Sequence, residues 1–107
     1  MSECVYVSPG ERAARLIEKG TVAWQRLQAH AMANDELFDS LVLRGQELWL
    51  PHHETDGTQF TVTLVVDIRC APERRAEAAD SMEWLWREVE AELNDAWGAV
   101  RVDGTYH

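Results

Sequence analysis

The sequence predicts an α+β fold, a ferredoxin-like two-layer sandwich in the order βαββαβ with four antiparallel strands. Three observations carry that expectation. Apolar residues recur at helical spacing in two long stretches, 9–34 and 72–97. Between them lies a segment with strict two-residue alternation, 59–70. Short alternating segments, 4–7 and 99–106, stand at the two ends.

The elements follow in order. Residues 4–7 alternate weakly before Ser8-Pro9-Gly10 and read as a first strand. Ser8, Pro9 and Glu11 form a capping box with proline at the first helical position, which opens a helix running to about Asn34. Its expected buried stripe is Ala13, Ile17, Gly20, Trp24, Leu27 and Ala31, flanked by Leu16 and Ala23. Gly20 costs about 1 kcal/mol against alanine in a helix, which implies close approach of another element. Leu41–Leu43 and Glu47–Leu50 read as extended, with Gly45 as a bend or bulge and Pro51 at an edge or an end.

In the clearest strand, Phe60, Val62, Leu64, Val66, Ile68 and Cys70 point one way, and Gln59, Thr61, Thr63, Val65, Asp67 and Arg69 the other. Hydrophobic matching across a three-residue turn, Thr55–Gly57, pairs Leu50 with Val62 and Leu48 with Leu64. That register sends Trp49 and Val65 together to the outer face. Pro72 opens a second helix, expected to bury Ala79, Met82, Trp86, Val89, Leu93 and Ala96, with Leu85 alongside, and to stop near Trp97 at Gly98. Trp24 and Trp97 are assigned to the core. Residues 99–106 form the last strand, and in a ferredoxin-like sheet Cys4 would lie near Cys70. One domain of 107 residues accounts for the whole pattern.

Composition narrows the function. The chain is 46% apolar, which excludes a disordered chain, and no run approaches the roughly 20 apolar residues of a membrane span. The formal net charge of −9 disfavours nucleic acid and anionic membranes as direct partners. No secretion signal is recognisable at the N-terminus, and Cys4 and Cys70 form no CxxC pair, so the expected location is cytoplasmic, with both as buried thiols. The glycines make no phosphate-binding loop, and neither cysteine has a visible base or oxyanion site. No cofactor is expected.

Two constellations remain. His52, His53, Glu54 and Asp56 carry metal-type ligands beside the hairpin turn, but adjacent histidines on a strand point to opposite faces. A metal-dependent enzyme centred there is the weaker alternative. The other constellation is the second helix. From Ala76 to Trp97 it carries seven acids (Glu77, Asp80, Glu83, Glu88, Glu90, Glu92, Asp95) against Arg87 alone. Trp84 falls almost opposite Trp86 on the helical wheel, on the outer side with Glu77, Asp80, Glu88 and Asp95.

An outward indole ringed by carboxylates is the form of a binding hot spot for a basic partner. The expectation is therefore a small acidic, non-enzymatic protein-binding module. It would act as an inhibitor or antitoxin-like blocker of phage or mobile-element type, occupying a basic site on a partner protein or on the protein component of a nucleic-acid-handling complex. Trp49 and Val65 on the sheet would provide a second contact or a homodimer seam. In element order alone the chain resembles phage tail-terminator proteins, with no shared motif. That similarity implies no kinship; the alternative to the blocker is a homo-oligomeric assembly component such as a phage tail or neck subunit.

Overall fold

A computed structural model describes residues 9–50, 60–96 and 98–107. The elements are α1 (Pro9–Ala33), β1 (Ser40–Trp49), β2 (Phe60–Arg69), α2 (Arg75–Leu93) and β3 (Gly98–Tyr106), with a short 3₁₀ turn over Pro72–Arg74 leading into α2. The expected first strand at 4–7, the Ser8 cap, Cys4, the turn at 55–57 and Trp97 lie outside the described residues.

The sheet corrects the expected architecture. Among the described residues it is mixed and three-stranded, in the order β1-β2-β3, and not the expected four-stranded antiparallel sheet. β1 pairs antiparallel with β2, whereas β3 pairs parallel with β2, from Phe60↔Gly98 to Ile68↔Tyr106. The reason is topological. A ferredoxin-like sheet places its first strand between the two strands that flank the second helix. Here β3 takes that place itself, so β2, α2 and β3 form a βαβ unit, in which a crossover helix makes the two strands parallel.

The β1–β2 register also differs from the expected one. Leu48 pairs with Val62 and Trp49 with Thr61, a shift of two residues. An even shift preserves the faces, so Leu48 stays on the helix side and Trp49 on the outer side. It separates Trp49 from Val65, which pairs with Gly45 instead. β1 is continuous, and the irregularity anticipated at Gly45 is a bulge between Leu43 and Gly45.

Both helices pack on one face of the sheet. The core joins Leu16, Ala23 and Leu27 of α1, and Ala78, Met82, Leu85 and Val89 of α2, to the inward residues of β2 and to Val100. The helices run antiparallel, as Lys19–Asp95, Arg26–Glu92 and His30–Ser81 contacts require. This neighbourhood rotates both buried stripes relative to the sequence expectation. Ile17 is 45% exposed and Leu16 is buried; Trp86 is half-buried and Leu85 takes the centre. Each helix must cover the sheet and its neighbour together, so its buried arc centres between the two. Apolar periodicity alone cannot locate that bisector.

α2 ends at Leu93, short of the expected stop. Asn94 turns extended (ψ 132°), and its side-chain oxygen accepts the Val100 N–H at 2.8 Å. Ala96 is therefore off the helix and exposed. Gly98 is the first residue of β3, where a Cβ would lie 2.5 Å from Leu16 Cδ2. Its small size admits α1 against the sheet.

Candidate functional site

The outward face of α2 follows from the helical period. With Ala78, Met82, Leu85 and Val89 buried, Trp84 turns to solvent at 61% exposure in the middle of the helix. Glu77, Asp80 and Glu88 stand seven and four residues before it and four after it, on the same side and exposed. Glu77 pairs with Arg74 at 3.1 Å, and Glu83 with Arg87 at 2.8 Å, both between exposed groups. Such exposed pairs are worth about 0–1 kcal/mol each, and with Asp80 and Glu88 the face carries four acids against two arginines, so it stays acidic.

Asp95 does not belong to this face. It lies between α2 and β3, where it bonds Lys19 at 2.8 Å and accepts the Gly98 N–H at 3.2 Å. Glu92 likewise reaches α1, at Arg26. The acids at the C-terminal end of the helix, unfavourable toward its dipole, are thus matched by basic residues of α1. Glu88 also lies near enough to His30 to raise its pKa. The larger influence on His30 is burial, and the net effect is a value below the ordinary 6.5.

On the opposite side is the sheet face that no described helix covers. Trp49 is 57% exposed and Val42 48% exposed, and both point outward from β1. Val65 is half-buried several residues away from Trp49. Between Val65 and the end of the sheet, Asp67 holds Arg44 and lies 3.3 Å from His107. The Arg44 hydrogen bond keeps the Asp67 carboxyl below its ordinary range, opposed by partial burial and assisted by His107.

The histidine-rich turn, His52, His53, Glu54 and Asp56, lies outside the described residues. Among the described residues no group of three or more His, Cys, Asp or Glu side chains gathers in a metal-binding arrangement. No described helix is long and apolar enough to cross a membrane.

Sequence reasoning missed one feature, an open slot of about 330 Å³ between the two layers. Val66 and Ile68 of β2, with Val102 and Gly104 of β3, form its floor. Ala79, Met82 and Trp86 of α2 form the roof, Leu27 closes the back, and Tyr106 and Glu83 contribute its polar groups. The Tyr106 phenol is held above its ordinary pKa mainly by burial, with the neighbouring Cys70 and Glu83 adding to it. The signal in the sequence was small residues, Ala79 and Gly104, at inward positions, but only the pairing of β3 with β2 brings them together.

Comparison with protein families, with characterised proteins and with solved structures gives no match to this chain.

Proposed function

We propose that this protein is a small acidic, non-enzymatic protein-binding module, with the outward face of α2 as its working surface. One observation carries the reading: Trp84 is 61% exposed at mid-helix, with Glu77, Asp80 and Glu88 around it. Leaving a large indole in water forgoes roughly 1.5–3 kcal/mol of burial. Tryptophan is also among the residues most enriched at binding hot spots. Carboxylates around it raise the encounter rate with a basic surface and fix the register, while indole burial holds the complex. The mode of action is occupancy, as in an inhibitor or antitoxin-like blocker of a basic site in the cytosol.

A second reading is supported by the sheet face away from α2, which no described helix covers and where Trp49 and Val42 are exposed. Apolar groups on two opposite sides suit head-to-tail association of copies, as in a phage tail or neck assembly.

The test is capture of host proteins on the immobilised chain, compared with Trp84→Ala and Trp49→Ala. The blocker reading expects one captured protein with a basic surface. Trp84→Ala should weaken its binding by about 2 kcal/mol or more, near thirtyfold, with the melting temperature unchanged. Binding that survives Trp84→Ala refutes it. A ring or higher oligomer of the pure chain in light scattering, dissolved by Trp49→Ala, favours assembly instead.

A further inference from the structure

We propose that the slot between α2 and the sheet is a binding site for a small, uncharged, mostly apolar molecule with a flat ring system. The site is independent of the Trp84 face. Trp84 and Trp86 are two positions apart, about 200° around the helix, and only Trp86 borders the slot.

Three observations define the occupant. The first is size: about 330 Å³ is at the lower end of the range of small-molecule sites, about 300–1,000 Å³. The second is shape. The space lies between two layers of a single chain, with Trp86 and Met82 above and Val66, Ile68 and Val102 below, so it admits a thin group more readily than a protein surface. Ala79 on the roof and Gly104 on the floor keep it open, and a Cβ at Gly104 would already stand 3.1 Å from Ile68 Cδ1. The third is charge. Glu83, mostly exposed, is the charged residue of the lining, and α2 carries six acids against two arginines from Arg75 to Leu93. That field opposes an anion. Tyr106 offers one hydroxyl for orientation.

The experiment titrates the whole chain with the neutral fluorophore N-phenyl-1-naphthylamine. A parallel titration uses 8-anilinonaphthalene-1-sulfonate, which has the same rings and a negative charge. The expected result is saturable one-to-one binding of the neutral probe, with the sulfonate weaker by roughly tenfold or more. Ala79→Leu fills the slot, so it should weaken the neutral probe by roughly tenfold or more and raise the melting temperature. Val102→Phe is the second filling variant should the first not fold. Trp84→Ala should bind the probe as wild type does. Absence of saturable binding overturns the proposal, as does binding that a folded filling variant leaves intact. A wild-type dimer that Ala79→Leu converts to monomer also overturns it, because the slot would then be an interface between copies.

Discussion

Replacing Gly20 with alanine should stabilise this protein. Gly20 is buried within α1, far from either end of that 25-residue helix. A glycine in a helix interior is about 0.8–1.0 kcal/mol less favourable than alanine, because the unfolded chain loses more freedom on folding. What decides the sign is the space a methyl would enter. A Cβ there would stand 3.5 Å from Val62 Cγ2, 3.6 Å from Leu64 Cδ2 and 3.7 Å from the Gln46 side-chain carbonyl carbon, all ordinary contacts. The methyl thus adds dispersion contacts without displacing anything, and the expected gain is about 1 kcal/mol. For a domain of this size that is roughly 4–8 °C in melting temperature.

Gly98→Ala is the control of opposite sign. Its Cβ would fall 2.5 Å from Leu16 Cδ2 and 3.2 Å from the Phe60 carbonyl oxygen, and Leu16 is only 1% exposed. Overpacking of that kind costs about 1–3 kcal/mol. Urea unfolding of both variants, followed by circular dichroism, measures the pair. Destabilisation by Gly20→Ala would mean that α1 lies closer to β2 than described, and the packing of the whole helix layer would have to be redrawn.

Three further outcomes are expected. Leu85→Ala should cost about 2–5 kcal/mol in urea unfolding, as a buried leucine does, whereas Trp84→Ala should leave stability within about 0.5 kcal/mol; equal losses would refute the helix phase. Asn94→Ala removes the acceptor of the Val100 N–H, a residue with no exposed surface, and should destabilise by about 1–3 kcal/mol, while an unchanged melting curve would show that the bond contributes nothing. His30 is held below its ordinary pKa, so the unfolded chain binds its proton more readily. Its contribution to stability is full above about pH 6.5 and falls as the pH drops through the folded-state value. Melting temperatures between about pH 7 and 5 should therefore fall more steeply for wild type than for His30→Gln, and parallel slopes would refute the assignment.

Local chemistry determined much of this molecule. The 3.6-residue period placed two helices, Pro9 began the first of them, and the alternation from Phe60 to Ile68 sorted β2 into an inner and an outer face. The outward position of Trp84 followed from the same period and survives the rotation of the stripe, because the indole lies far from its edge. What tertiary structure decided was everything that depends on a neighbour. Whether β3 joins β2 directly, and therefore in parallel, is a choice among sheet orders that no local pattern encodes. The packing of α1 beside α2 turned both stripes, exchanged Trp86 for Leu85 at the centre, and gave Lys19 and Arg26 to the acids at the end of α2. Residues far apart in sequence, Leu27, Ala79 and Gly104, enclose the slot only because those pairings bring them together. Period is a property of one segment, whereas register, crossing and cavity arise between segments.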